Sequence, residues 1–203
     1  MKPAHLAALL LAAAPTVLGS SGSVRAMETS PPFLNAIRPA SAPVGFGPAC
    51  AAYRWLCSNA QAVVRSLAPL NDAQLLAAAK AVNVEVNAAI RQVNDIDNVG
   101  VGEQWSLPEN GTGDCEDIAM LKMKLLQERG IPARLLSLAV VVKDTNESHV
   151  VLVLRTQAGD HVLDNLTNRI APWADTGYTF IKMQNAANKR QWDLIVLGPR
   201  AQR

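Results

Sequence analysis

Cys115, His149 and Asp164 are the side chains whose types and order could carry covalent chemistry in this chain. Cys115 lies in Gly113-Asp114-Cys115-Glu116-Asp117-Ile118-Ala119, at the start of a segment that reads as an amphipathic helix. Unpaired backbone N–H groups and the positive end of a helix dipole favour thiolate over thiol, and the thiolate is the form that attacks a carbonyl carbon. A thiol nucleophile needs a base, and the base needs an orienting partner. Beyond the first 26 residues the histidines are His149 and His161. His149 follows a polar turn and opens a β-rich run, and Asp164 lies in the next such run. If the two runs pair as a hairpin, Asp164 comes close enough to hold the imidazole. His161 shares a run with Asp164 at an odd separation, which puts the two on opposite faces. A structural zinc site from Cys115, His149 and His161 is the weaker reading, because the spacing matches no compact zinc motif.

These residues must be positioned by helices and strands that the pattern also predicts. After Cys115, apolar Ile118, Leu121, Leu125 and Leu126 recur at helical spacing, with Lys122, Lys124, Glu128 and Arg129 at other positions. Gly130 followed by Pro132 ends the run, and Asp114 is the expected N-cap. A longer helix is predicted over 71–93. Asn71 and Gln74 form a capping pair there, and Leu75, Ala79, Val82, Val86, Ile90 and Val93 form one apolar stripe. A short helix is expected before it, at about 51–67. Residues 94–112 read as a long polar loop, of a length that commonly carries function. Past Pro132 the runs 135–142, 149–155, 161–166 and 192–197 read as short strands separated by turn residues. Helices first and hairpin-linked strands afterwards predict an α+β domain, with the nucleophile-bearing helix packed on an antiparallel β-sheet.

Composition narrows the function class. At 203 residues the chain holds one substantial core. Residues 1–26 read as a secretory signal peptide: Lys2 gives the positive start, 6–18 is apolar, and Val24-Arg25-Ala26 is an acceptable cleavage site. Residues 27–48 carry Pro31, Pro32, Pro39, Pro43 and Pro48 and read as an extended lead-in, with the domain proper over 49–203. Without Lys2 and Arg25, 17 basic residues face 17 acidic ones, a balance that argues against nucleic-acid partners and against attraction to a membrane surface. No segment beyond the N-terminus is apolar enough for a membrane span. Export implies an oxidising compartment, in which Cys50 and Cys57 could close a small disulfide loop and leave Cys115 as the free thiol.

The blocks around the three residues resemble a known family. Gly-Asp-Cys-Glu-Asp at 113–117, Ser148-His149-Val150-Val151-Leu152 and Val162-Leu163-Asp164-Asn165-Leu166 are similar to the bacterial transglutaminase-like cysteine proteinases. Trp105-x-x-Pro108 and Pro172-Trp173 fit the same pattern, and the likeness runs over about residues 45–198. That family is related to periplasmic proteases that release surface adhesins. The resemblance implies a papain/transglutaminase-like fold and periplasmic acyl transfer from a peptide or amide carbonyl to water. It assigns Cys115 as nucleophile, His149 as base and acid, and Asp164 as the residue orienting His149. A protein substrate such as a surface adhesin, and a regulatory receptor in the inner membrane, are the partners it suggests.

Two features of the site stay open at this level. The Cys115 backbone N–H is the natural first oxyanion donor, and the second could be the Trp105 indole, Gln104 or a loop amide. Asp114, Glu116 and Asp117 place three carboxylates around one thiol, which opposes thiolate formation. In the adhesin-processing branch the equivalent residues bind calcium, and a hard cation would relieve the repulsion. Alternatively Asp114 caps the helix while Glu116 and Asp117 favour its first turn. The thioester chemistry itself requires no cofactor. Transamidation or deamidation by the same triad, or an idle triad in a peptide-binding adaptor, are the competing functions.

Overall fold

Nearly unbroken apolar runs after Pro132 build a sheet buried on both faces. The computed structural model describes residues 30–59, 69–98 and 103–201 of this chain. Strand β1 (Arg38–Ala40) is followed by helix α1 (Phe46–Ala52), a 3-10 turn at Arg54–Cys57, helix α2 (Asp72–Ala89), strand β2 (Arg91–Gln92) and a single helical turn α3 (Asp95–Asn98). Strand β3 (Thr112–Gly113) leads directly into helix α4 (Cys115–Glu128). Strands β4 (Leu136–Val142), β5 (Ser148–Arg155), β6 (Asp160–Leu163), β7 (Ala171–Pro172), β8 (Thr179–Gln184) and β9 (Trp192–Leu197) complete the order. Seven strands form one sheet in the order β1-β9-β8-β4-β5-β6-β7, every neighbouring pair antiparallel. This is the α+β arrangement expected, with helices laid on an antiparallel sheet.

One face packs on the helices. Leu136 and Leu138 of β4 and Val150, Leu152 and Leu154 of β5 meet Ile118, Met120, Met123 and Leu126 of α4, with Leu75, Ala79, Val82 and Val86 of α2 behind them. The other face carries Ala139, Val141, Val151, Val153, Val162, Phe180 and Ile195, covered by Leu34 and Trp173. Burial on both sides explains why the β4 and β5 segments read as nearly unbroken apolar runs.

Several elements differ from the sequence expectation. Asn71 and Gln74 form the capping box, but α2 ends at Ala89 and not at 93. Ile90 takes extended backbone, and Arg91–Gln92 pair in parallel with Thr112–Gly113, so the chain is diverted to meet the strand that precedes Cys115. The short helix expected at 51–67 is not formed over 53–59: α1 spans Phe46–Ala52, only a 3-10 turn follows at Arg54–Cys57, and 60–68 lie outside the described residues. Strand β8 was not anticipated, since Lys182 and Gln184 interrupt its apolar pattern; it inserts between β4 and β9. Residues 1–26, expected to be a signal peptide, lie outside the described residues.

The lead-in, from residue 30 onward, is tied to the sheet. Leu34 is buried, its N–H donates to Asp160 Oδ2 at 2.8 Å, and the Asp160 N–H donates to the Pro32 carbonyl at 2.9 Å. The Trp173 indole donates to the Pro31 carbonyl at 2.9 Å, and β1 pairs with β9. Cys50 and Cys57 form a disulfide with Cα atoms 5.6 Å apart, joining α1 to the 3-10 turn.

Candidate active site

Cys115 is the first residue of α4, and Asp114 occupies the N-cap position with extended backbone. The tight entry is set by Gly113, where a Cβ would lie 2.9 Å from Asp117 Cβ. The thiol donates to Glu116 Oε2 at 3.2 Å and accepts from the Val150 N–H at 3.4 Å. The sulfur therefore sits against the peptide that joins His149 to Val150. α4 crosses β5 closely enough to put the nucleophile candidate beside the strand carrying the base candidate.

His149 and Asp164 are both buried, and Nε2 lies 2.9 Å from Asp164 Oδ1. Asp164 is one residue beyond β6, whose pairing with β5 runs as far as Leu152 opposite Leu163. It accepts further bonds from the Leu166 N–H on Oδ1 at 3.1 Å and from the Tyr178 hydroxyl on Oδ2 at 2.6 Å. Burial acts to raise its pKa, but the bonds from His149, Tyr178 and Leu166 prevail and hold it below the usual carboxylate range. The loop after Asp164 is anchored on α2: Asn87 Nδ2 donates to the Asp164 and Thr167 carbonyls at 3.0 and 3.1 Å, and Asn83 Nδ2 to Thr167 at 2.9 Å. His161 stands opposite Leu154 and contacts the Gly159 carbonyl through Nδ1.

The helix start does not by itself make a thiolate. Burial, and then the Glu116 charge, push the Cys115 thiol well above its ordinary pKa. Desolvating a thiolate next to a carboxylate outweighs the dipole that the sequence reading relied on. Glu116 is itself raised to about 8 by burial and by Asp114. Asp117 is raised to about 7 by burial, against a hydrogen bond from the Ser106 N–H.

The acidic residues group differently from the order in the sequence. Asp95, Asp114 and Glu116 each offer a carboxylate oxygen, these atoms lying within 4.8 Å of one another. Asp117 is instead turned to the 103–112 loop, where Oδ1 accepts from the Ser106 N–H at 2.6 Å. Asp95 enters from α3, twenty residues before Cys115, and no local motif announces it. Among the described residues Asp95 Oδ1 and Asp114 Oδ1 are buried without a hydrogen-bond partner, and Asp114 makes no capping bond of normal geometry. Buried carboxylate oxygens left open to one another suit a hard cation.

Trp105 belongs to the core. It packs edge-on to Phe46 at 5.7 Å and Trp192 at 6.2 Å between ring centroids, with its indole N–H directed at Glu103 Oε2. Gly45, at φ 88°, lets the backbone pass over this ring, since a Cβ would lie 2.7 Å from Cδ1. Gln104 is exposed, and its backbone N–H donates to Asp95 Oδ2. Lys122, expected among the polar positions of its helix, is fully buried. Burial lowers its pKa to about 7, with the Asp164 charge acting the other way.

No curated protein sequence matches this chain. Among solved structures it is similar to Legionella pneumophila LapG in the calcium-bound form, at 23% identity and TM-score 0.52, covering 64% of this chain and 74% of that one. A second LapG structure gives 23% identity and TM-score 0.50 over 61% and 71%. EGTA-treated LapG gives 22% and 0.48 over 57% of this chain and 66% of that one, just under two thirds of its length. At these identities the likeness is one of fold. The family described as bacterial transglutaminase-like cysteine proteinase matches residues 36–198, and this chain belongs to that family of cysteine peptidases.

Proposed function

We propose that this chain is an exported cysteine peptidase that cleaves a protein substrate through Cys115, His149 and Asp164. The observation that carries the reading is the buried His149–Asp164 pair standing beside a thiol at a helix start. With Nε2 engaged by Asp164, the imidazole presents Nδ1 as its free nitrogen for the thiol proton. Cys115 Sγ attacks the scissile carbonyl carbon while His149 takes the thiol proton. The imidazolium then returns that proton to the departing amine, leaving a thioester that water hydrolyses with His149 again acting as base. The Cys115 N–H, at the start of α4, is the first oxyanion donor. For the second, the Trp105 indole already faces Glu103 and the Gln104 backbone N–H already donates to Asp95, which leaves the Gln104 side-chain amide or a loop amide.

Calcium held by Asp95, Asp114 and Glu116 belongs to the same reading, supported by the two buried, unpartnered oxygens in that group. A structure of similar fold is also calcium-bound. The ion would supply positive charge next to the carboxylate that now accepts the Cys115 thiol proton. The Cys50–Cys57 disulfide supports an extracytoplasmic, periplasmic setting. A surface adhesin as substrate and an inner-membrane receptor as regulator are carried by the family resemblance.

The test is incubation of wild type and Cys115→Ala with an unfolded protein mixture, with calcium or chelator, reading new termini by mass spectrometry. New termini that vanish in the variant are expected. Incorporation of an added primary amine without new termini would make the enzyme a transamidase. No turnover, together with ordinary iodoacetamide reactivity at Cys115, would leave a peptide-binding adaptor.

A further inference from the structure

We propose that Tyr178 is a positioning residue that locks the His149–Asp164 pair by holding both of its members with one side chain. The proposal rests on the reading of those two residues as base and orienting carboxylate. The Tyr178 hydroxyl donates to Asp164 Oδ2 at 2.6 Å, while Oδ1 accepts from His149 Nε2 at 2.9 Å and from the Leu166 N–H at 3.1 Å. Both oxygens are engaged, so the carboxylate plane cannot turn without breaking a charge-assisted bond. The same phenol ring stands edge-on to the imidazole, with centroids 5.9 Å apart and planes at 70°. One residue thus fixes the carboxylate by a hydrogen bond and the ring by packing.

Tyr178 is well held for this task. Its N–H donates to Thr176 Oγ1 at 3.2 Å, and that hydroxyl donates to the Trp173 carbonyl at 2.7 Å. Gly198, at φ 130°, passes so close that a Cβ would lie 2.4 Å from the Tyr178 carbonyl oxygen, so the segment after β9 braces the same turn. Asn87 of α2 holds the Asp164 main chain through its carbonyl. Burial and the hydrogen bond to Asp164 push the phenol's pKa up, which keeps the hydroxyl protonated as the donor of this bond.

Tyr178→Phe keeps the ring and deletes one hydrogen bond to an ionised group. The expected result is kcat lower by about tenfold with KM little changed. The low-field proton resonance of the His149 ring N–H should also move or broaden. Unchanged kcat would overturn the proposal. So would a lower kcat with an unmoved ring resonance, which would assign Tyr178 to packing alone. The resonance is read without turnover, so failure of wild type to cleave peptides would sink the peptidase reading and leave this result separate. If Tyr178→Phe fails to fold, 3-fluorotyrosine in place of Tyr53 and Tyr178 strengthens the phenol donor within the native fold. The His149 resonance is then expected to shift, and an unmoved signal would overturn the proposal.

Discussion

His149 Nε2 lies 2.9 Å from Asp164 Oδ1 even though the two residues are not cross-strand partners. Asp164 leaves β6 just after the Leu152–Leu163 pair, and its carboxylate is turned back by the Leu166 N–H two residues on. The contact is therefore made by a strand and a turn, not by a ladder. In Asp164→Asn the amide NH₂ either opposes the His149 and Leu166 donors or faces the Tyr178 hydroxyl, which must then turn to accept, and in both orientations the negative charge behind the imidazolium is lost. The expected loss is on the order of a hundredfold in kcat, by misplacing or mistautomerising His149. Retention of wild-type kcat in a folded variant would contradict the orienting role.

Cys115→Ala should remove turnover and leave the unfolding transition close to wild type. The thiol's two contacts, with Glu116 and with the Val150 N–H, are weak sulfur hydrogen bonds, and the thiol is held protonated by burial and the Glu116 charge. Parallel kinetics and thermal denaturation check both halves of this statement.

Calcium should raise the melting temperature, and Asp95→Asn should abolish that rise, because Asp95 shares the oxygen cluster with Asp114 and Glu116. A ligand at about a hundred times its Kd stabilises by roughly 2.7 kcal/mol. Asp117→Asn should keep the calcium response, since Asp117 is engaged by Ser106 and its Oδ1 acceptor survives the change. Titration calorimetry on the three proteins decides which carboxylates hold the ion. A response lost in Asp117→Asn but kept in Asp95→Asn would reverse the assignment.

Lys122 gives a pH signature. Its pKa falls from 10.5 to about 7 through burial, so between those values the unfolded chain binds more protons than the native one. Its contribution therefore rises with pH across that window and is lost as pH falls through about 7. Glu116, raised to about 8, tilts the opposite way at the lower edge, so the comparison must be between variants. Lys122→Met should be stabilised relative to wild type at pH 6, with the gap narrowing by on the order of 3 kcal/mol toward pH 10. Urea denaturation at both pH values measures it, and a gap independent of pH would contradict the buried-ammonium account.

Cys50→Ser should lower stability by about 2 kcal/mol, the loop-closure effect of a short bridge. The bridge joins α1 to the turn at Arg54–Cys57, whereas the bonds that hold Cys115 and Asp164 come from Glu116, Val150, His149, Leu166 and Tyr178, so catalytic turnover should change little. Denaturation with and without reductant checks this, and equal stability would show that the bridge contributes nothing.

The sequence by itself determined the α4 start at Cys115, the capping box of α2, the four main strand runs and the layering of helix on sheet. These are set by short-range rules, namely apolar period, capping chemistry and turn residues, which neighbouring residues express locally. The order Cys115, His149, Asp164 was legible for the same reason: each lies at the edge of a regular element. Tertiary structure alone decided the rest. Asp95 joins Asp114 and Glu116, and Tyr178 reaches Asp164, across separations that no periodicity encodes. The carboxylate opposition to a Cys115 thiolate was legible in Asp114, Glu116 and Asp117, but the larger effect of burial was not, because desolvation depends on how much water the fold excludes. Local rules place a residue on an element; long-range packing sets its neighbours in space and the dielectric around it.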